Sequence, residues 1–297
     1  MAFTIKIAVG PYTGNGAIQN IAVAGGSDAV FTKRVGGTDT LMYTMWHDMP
    51  RNACSSLGGT LAVRTGQITD LSRDGFTVGV GQSQNAAPYV YLSIKSLGSN
   101  KYFETGRYVG NGADNRDMTG ASGCLFTPDL MLLLRHVDGQ VQSHRTSEHV
   151  GDLSGTFANL AVINYIQNFQ AGGFQLGTNA NVNNSNDYFN WLTMRQIPNG
   201  FKVGSFTGSA AARSIDVGFA PDFVIVKNQD AATIAWMRAT GMSLSLPLSA
   251  TATDAQAITA LTSTGFSVGT LADVNGSANK IHYMAFKAGE YTPAGAK

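Results

Sequence analysis

Three histidines lie close together near the middle of the chain, among carboxylates that could complete a metal site. The residues are His136, His144 and His149, with Asp138, Glu148 and Asp152 between and after them. Imidazole and carboxylate groups are donors that zinc and related ions use. Their spacing fits no recognised metal signature, however, and a polar loop after a strand explains the same residues. We therefore predict neither a metal nor another cofactor.

Paired carboxylates for glycoside cleavage are the enzyme hypothesis that the acidic residues raise. These acids are few and lie mostly in predicted turns: Asp70, Asp74, Asp114, Asp117, Asp187, Asp254 and Asp273. His47 and His282 are isolated, without a nucleophile beside them, and no Gly-x-Ser-x-Gly elbow is present. We predict that the protein is not an enzyme and has no catalytic residue.

A run of asparagines is the best candidate for a binding segment. It contains Asn179, Asn181, Asn183, Asn184 and Asn186. Short amide side chains favour turns, and the run predicts an exposed, adaptable hydrogen-bonding loop. A long hairpin turn is the alternative interpretation. The tryptophans Trp46, Trp191 and Trp236 could stack on sugars if exposed, but their places near predicted central strands favour core packing.

Four sequence markers occur in the same order three times, at intervals of about 92 to 101 residues, which is typical of a tandem repeat. The first is an aromatic-x-Gly turn at residues 12–14, 108–110 and 206–208. The second is an apolar strand that opens with Asp28, Asp129 or Asp222. A Gly-Phe-x-x-Gly box follows, with Phe76, Phe174 and Phe266. Each copy closes on a strand with an aromatic start and a basic end, at residues 91–95, 191–195 and 283–287.

These markers predict an all-β fold of three tandem β-sandwich, jelly-roll-like domains with little helix. Many short strands separated by turn signals, without β-α-β alternation, favour two-sheet sandwiches. We place the repeats at residues 1–98, 99–197 and 198–297. The three box phenylalanines should occupy equivalent buried positions, and Asp129 and Asp222 should be turn residues. The pair Asn275-Gly276 predicts a two-residue hairpin turn.

Composition limits the partners of this protein. Charged residues make up 13% of the chain and the net charge is +1, so no electrostatic surface for nucleic acid is indicated. No apolar run is long enough for a membrane span, and no signal peptide is visible. Cys54 and Cys124 are read as buried free thiols, with one disulfide as the alternative.

Residues 218–227, with Trp236 and residues 283–287, resemble repeated β-sandwich domains of tailed-bacteriophage structural proteins. Such domains are similar to concanavalin-like sandwiches. The second copy matches in part through residues 126–129, and the first copy matches weakly. The resemblance implies a virion protein that is assembled in the host cytoplasm, with other virion proteins and copies of itself as partners.

We therefore expect a structural virion protein, a surface component of the tail or capsid that acts by protein–protein assembly. A receptor-binding or glycan-binding adhesin, with a host surface glycan as partner, is the alternative. A polysaccharide-degrading enzyme comes third.

Overall fold

In the computed structural model, residues 4–36, 41–59, 64–98, 102–136, 142–249 and 253–292 are described, and their regular structure is almost entirely antiparallel strand. The two α-helices in these ranges are single turns, α1 (Ala180–Asn183) and α2 (Ala272–Asn275). Two short 3-10 turns cover Val80–Gln82 and Gly120–Ser122. No described helix has the length and apolar character needed to cross a bilayer. The predicted all-β sandwich fold is confirmed.

Each repeat supplies eight strands. The first contains β1 (Thr4–Thr13), β2 (Gln19–Ala22), β3 (Ala29–Arg34), β4 (Met42–Trp46), β5 (Ser55–Leu57), β6 (Ile68–Ser72), β7 (Gly75–Val78) and β8 (Pro88–Leu97). The second contains β9 (Phe103–Val109), β10 (Arg116–Met118), β11 (Leu130–Arg135), β12 (Ser143–Thr146), β13 (Gly155–Thr156), β14 (Ile166–Gln170), β15 (Gly173–Leu176) and β16 (Tyr188–Met194). The third contains β17 (Phe201–Thr207), β18 (Arg213–Asp216), β19 (Phe223–Asn228), β20 (Trp236–Ala239), β21 (Leu246–Pro247), β22 (Ile258–Leu261), β23 (Gly265–Val268) and β24 (Lys280–Phe286), and the chain then adds β25 (Gly289–Tyr291).

The strand topology is the same in all three repeats. Counting strands from one to eight within a repeat, a large sheet has the order 1-8-3-4-5 and a small sheet has the order 2-7-6. The small sheet covers one face of the large sheet and forms a local core. Residues 99–101, beside the predicted boundary after residue 98, lie outside the described residues.

The large sheets bury both of their faces, and this explains their continuous apolar runs. In β19, Val224 and Val226 pack into the local core, whereas Phe223 and Ile225 point into a core that all three repeats share. The side chains of β11 alternate in the same way. Met131 and Leu133 pack into the local core, and Leu130, Leu132 and Leu134 pack into the shared core.

The shared core is arranged with approximate threefold symmetry. Phe31, Leu132 and Ile225 hold the same register position in the three large sheets, opposite Leu92, Leu192 and Met284 respectively. All six side chains surround one void of only about 10 Å³. The three sandwiches therefore pack against one another through a filled apolar centre.

The box phenylalanine anchors each local core through one aromatic pair. Phe76, Phe174 and Phe266 are fully buried. Their rings meet the first aromatic residue of the closing strand edge to face, at centroid distances of 5.3 Å to Tyr91, 5.6 Å to Trp191 and 5.4 Å to Tyr283. The two glycines of each box, four residues apart, let the backbone lie close to neighbouring segments while the phenylalanine side chain enters the core.

That closing aromatic residue lies across a glycine of the first strand. In the third repeat Tyr283 pairs with Gly204, where a Cβ would come within 2.2 Å of the tyrosine oxygen. The second repeat pairs Trp191 with Gly106 in the same way, and a Cβ would lie 2.3 Å from the indole. A glycine is required at these two positions because any side chain would displace the ring.

The aspartate that opens the third strand of each repeat joins two other segments. The backbone N–H groups of Asp129 and Asp222 donate to the last residue of the closing strand, at 2.8 Å and 2.7 Å. Their carboxylates accept the N–H of Gln196 at 2.7 Å and of Ala288 at 2.9 Å. These aspartates therefore fix the end of the closing strand against the start of the third strand.

Strand β25 closes the ring of repeats. It pairs with the outer edge of β1, with Ile5 opposite Tyr291 and Ile7 opposite Gly289, and a salt bridge of 3.2 Å joins Lys6 to Glu290. The same register position between the second and third repeats is occupied by the covalent loop in which Ile197 pairs with Phe201. The two ends of the described chain thus meet at the position that the continuous 197–201 loop holds between the second and third repeats.

Both cysteines are buried and unpaired with each other, as predicted. Burial raises the pKa of the Cys54 thiol to about 11, so the thiol is protonated at neutral pH.

The aromatic pair predicts a large loss of stability on truncation. Phe266→Ala should lower the free energy of unfolding by about 3–5 kcal/mol, because it removes a fully buried ring and leaves a cavity. Phe76→Ala and Phe174→Ala should behave alike, since the three rings are equivalent. Urea denaturation measures the loss, with the exposed Val80→Ala as control. A loss below about 1 kcal/mol for Phe266→Ala would contradict the packing described.

Ring closure predicts that the chain tolerates circular permutation. Joining residue 292 to residue 4 through a short linker, and opening the chain between Ile197 and Phe201, should give a folded protein, because that loop and the β25–β1 junction are equivalent. Far-ultraviolet circular dichroism and urea denaturation test this expectation. A control permutant opened inside β19, between Ile225 and Val226, should not fold. Failure of the first permutant together with folding of the control would contradict the closed ring.

Candidate functional site

Polar side chains join neighbouring repeats at two junctions of this protein. In the first and second repeats, the turn after the fourth strand contacts the first strand of the following repeat. At the first junction the Asp48 carboxylate accepts a hydrogen bond from the Thr105 hydroxyl, and at the second junction Glu148 accepts from Ser205 at 2.7 Å. Gly241 holds the equivalent position in the third repeat. The turn is therefore a recurrent contact between repeats.

A side chain caps the same turn from inside. In the first and third repeats, methionine sulfur accepts the backbone N–H: Trp46 donates to Met49 Sδ at 3.4 Å and Ala239 donates to Met242 Sδ at 3.3 Å. In the second repeat the acceptor is a histidine, and Thr146 N–H donates to His149 Nδ1 at 3.1 Å. Because this ring nitrogen accepts a hydrogen bond, it carries no proton.

The junction between the second and third repeats collects three buried histidines. The His149 ring stacks on His282 with centroids 4.2 Å apart, and His144 lies edge to face with His149 at 5.6 Å. His144 also stacks on Phe157 at 4.3 Å. The expectation that His282 is isolated is wrong, because the packing of two repeats brings it against His149.

One hydroxyl links two of these rings. Thr146 Oγ1 lies 3.0 Å from Nδ1 of His149 and 3.0 Å from Nδ1 of His282, while His282 Nε2 lies 2.7 Å from Gln229 Oε1. If both rings are neutral, three protons have acceptors: Thr146 N–H donates to His149, Thr146 O–H donates to His282, and His282 Nε2–H donates to Gln229. The geometry therefore matches neutral imidazoles.

Burial and neighbouring cations keep these rings neutral. Burial, and after it the charge of Lys227, lowers the pKa of His144 well below its usual value. Burial and the adjacent His282 do the same to the pKa of His149. Burial first, and Lys280 second, lower the pKa of His282 to about 3. Lys227 is itself buried, which lowers its pKa to about 8.

This arrangement does not match a metal centre. Among the described residues no group of three His, Cys, Asp or Glu side chains is placed to hold an ion. Of the residues considered from sequence, His136 lies apart at the end of β11, Asp138 falls outside the described residues, and the Asp152 carboxylate accepts the Asn164 N–H at 3.1 Å. Glu148 is engaged with the third repeat.

A polar pocket of about 310 Å³ lies at the first junction. Asp28, His47, Asp48, Ser96, Phe103, Glu104 and Thr105 line it. Its carboxylates already have partners: Lys95 lies 2.6 Å from Asp28, and Glu104 accepts the Leu125 N–H at 2.9 Å. Burial, and after it the charge of Asp48, raises the pKa of Glu104. The pocket could admit water or a small polar group.

The asparagine run is built into the second sandwich. The predicted exposed loop is wrong for Asn183, which is fully buried at the end of α1. Its amide donates to Ala113 O at 2.7 Å, and its oxygen accepts from Asn111 N–H and from Arg116, each at 3.0 Å. The Asn183 amide thus takes the place of backbone hydrogen-bond partners for the turn at residues 111–113.

The other asparagines of the run also have local roles. The Asn179 side chain accepts the Asn181 N–H at 2.9 Å and caps α1. Asn181 donates to the Tyr165 hydroxyl at 2.6 Å, and Asn184 donates to Asp187 at 2.8 Å. Asn186 is exposed and adopts a positive φ of 67°. In the third repeat Asn275 repeats the role of Asn183, so the predicted Asn275-Gly276 hairpin is wrong.

The three tryptophans are buried, which agrees with core packing. Sequence reasoning missed Lys227 and Thr146 as members of the histidine junction. An available signal was the position of Lys227 at the end of an otherwise apolar run, on the face that Ile225 buries in the shared core.

Comparison with known families gives one result. Residues 98–296, or 199 of the 297 residues, match the family described as Domain of unknown function (DUF7483), and the chain belongs to that family. The matched segment spans the second and third repeats, and it includes the histidine junction between them. No curated protein matches the chain.

The buried amide predicts a specific stability effect. Asn183→Ala should lower the free energy of unfolding by about 1–3 kcal/mol, because it leaves the Asn111 N–H and the Ala113 carbonyl without a partner. The control is the exposed Asn186→Gly, which keeps the positive φ accessible and should change stability little. Urea denaturation of both variants measures the difference. Equal losses would contradict the assigned role of Asn183.

Proposed function

We propose that this member of the DUF7483 family is a structural virion protein of a tailed bacteriophage, a surface component of the tail or capsid. In this proposal it acts by protein–protein assembly, with other virion proteins and copies of itself as partners. The observation that carries the proposal is the closed arrangement of three equivalent sandwiches around one shared core. Such a body presents three similar surfaces about one axis, and these fit a partner with threefold symmetry.

The low charge of the chain supports assembly as the mode of action. Only 13% of its residues are charged, so a subunit contact removes few charges from water. The exposed ends of the sandwiches are rich in Gly, Ser, Thr and Asn, which suit polar, water-tolerant contacts. A stable contact of this kind buries at least about 1,000 Å² in total.

The described polar clusters support assembly over catalysis. The carboxylates of the junction pocket are held by Lys95, by Thr105 and by a backbone N–H. Of the buried histidines, His149 and His282 contact Thr146, and His144 stacks on Phe157. A general acid and base need access to a substrate as well as a suitable pKa. Among these contacts, Asp48–Thr105 and Thr146–His282 join two repeats, and the others lie within one repeat.

A glycan-binding adhesin is the second candidate, and one exposed aromatic residue favours it. Tyr188 is 65% exposed at the start of β16, next to the exposed Asn186, and it faces Val109, which is 43% exposed. An exposed ring beside amide groups is a suitable surface for stacking on a sugar. Lys280 and Pro88 occupy the equivalent positions in the other repeats, so this surface occurs only in the second repeat.

Particle binding tests the proposal. Purified protein, added to phage particles that lack it, should bind at fixed stoichiometry, and an averaged image should show it on a threefold or pseudo-threefold axis of the tail or capsid. Tyr188→Ala should leave this binding intact; if binding to host glycan is lost instead, the adhesin is favoured. Release of reducing ends from host capsule or lipopolysaccharide, abolished by changing one aspartate, would overturn the proposal in favour of an enzyme.

A further inference from the structure

The junction between the second and third repeats differs chemically from its two equivalents. At the turn cap, the other junctions use Met49 and Met242, which cannot titrate. Opposite the cap, the position of His282 is taken by Asn190 in the second repeat and by Val90 in the first. The scaffold therefore does not require histidine, and its presence at both positions of one junction is a specific feature.

We propose that this junction is an acid-sensitive latch, which opens when His149 and His282 take up protons. The proposal concerns the isolated chain and does not depend on the proposed virion role. It rests on the hydrogen-bond geometry, in which Nδ1 of His149 accepts the Thr146 N–H and Nδ1 of a neutral His282 accepts the Thr146 O–H.

Protonation of His149 breaks the turn cap directly. A proton on Nδ1 would face the Thr146 N–H across 3.1 Å, so two donors would point at each other. The turn that this contact holds carries Glu148, which accepts from Ser205 and whose carbonyl accepts from Lys280. Loss of the cap therefore releases a segment that binds the third repeat at two points.

Protonation of His282 removes the acceptor for the Thr146 hydroxyl. That hydroxyl could then turn toward His149, but only while His149 is neutral. When both rings are protonated, two positive charges face each other at 4.2 Å, and the Thr146 N–H and O–H both lose their acceptors. Thr146 N–H and O–H therefore keep their acceptors when both rings are neutral and lose both when the two rings are charged.

The charges that face the cluster favour opening in acid. Cations come from three elements: Arg145 on β12, Lys227 on β19 and Lys280 on β24. The third ring, His144, has no hydrogen-bond partner on either nitrogen and is also neutral. The acids nearby are Glu148 in the turn, Asp152 beside Arg145 and Asp230 beside His282.

The sign of the pH dependence follows from the lowered pKa values. The open form binds protons near the ordinary histidine pKa of about 6.5, whereas the closed form does not. The closed junction is therefore fully stable above about pH 6.5 and weakens as the pH falls. Between pH 7.5 and pH 5, each such histidine should favour opening about 30-fold.

Amide hydrogen exchange on the full chain measures this opening, because equivalent backbone bonds cross two junctions. Ala235 N–H donates to Phe157 O across the second junction, and Met42 N–H donates to Leu248 O between the third and first repeats. After correction for intrinsic rates, protection of Ala235 should fall at least about 30-fold from pH 7.5 to pH 5, while that of Met42 changes little. A parallel loss at both amides would overturn the latch.

Variants taken from the equivalent positions identify the trigger. His149→Met installs the cap of the other repeats, and His282→Asn installs the residue of the second repeat. Each variant should reduce the fall in Ala235 protection between pH 7.5 and pH 5 by about 30-fold. If one variant does not fold, the other is enough to test the proposal. Glu148→Gln should keep the dependence. Wild-type pH dependence in both histidine variants, or its loss in Glu148→Gln, would overturn the proposal.

Discussion

The two buried faces of each large sheet are the constraint on which the structure depends. One face packs on the small sheet of its own repeat and the other packs on the large sheets of the other repeats. A strand buried in this way must be apolar throughout, as in Phe223 to Val226. A polar group on the shared face is costly unless it finds a partner. Lys227, only 3% exposed, donates to the carbonyl groups of Asn228 and Ala231.

The same scaffold carries two different chemistries at its junctions. The turn after the fourth strand meets the next repeat at the first and second junctions, and in all three repeats its cap is an acceptor for the same backbone N–H. Sulfur fills that role twice and imidazole once. Since the backbone geometry is already satisfied by methionine, the histidine adds a dependence on pH and no new fold.

The recurrence of glycine and phenylalanine in sequence was enough to predict the local cores. The box phenylalanines are buried in the same way because each must meet the closing aromatic residue, and both residues lie within one repeat. The shared core could not be predicted from the same pattern. An apolar run shows that a strand is buried on both faces, but not what covers the second face.

The misread residues share a physical cause, which is that their partners are distant in sequence. Thr146 and His282 meet across 136 residues, so the histidine cluster is a product of packing between repeats. Asn183 belongs to a polar run and was assigned to the surface, although its partners in the 111–116 segment make it a buried substitute for backbone hydrogen bonds. Strand β25 could not be predicted from the sequence, because it has three residues with little apolar character and is defined only by its pairing with the edge of β1.

Calorimetric unfolding of the intact chain tests the shared core most directly. If the three sandwiches depend on one another through that core, the protein should unfold in one transition at neutral pH, with equal calorimetric and van't Hoff enthalpies. Three separable transitions, or a calorimetric enthalpy about three times the van't Hoff value, would show that the repeats unfold independently and would contradict the account.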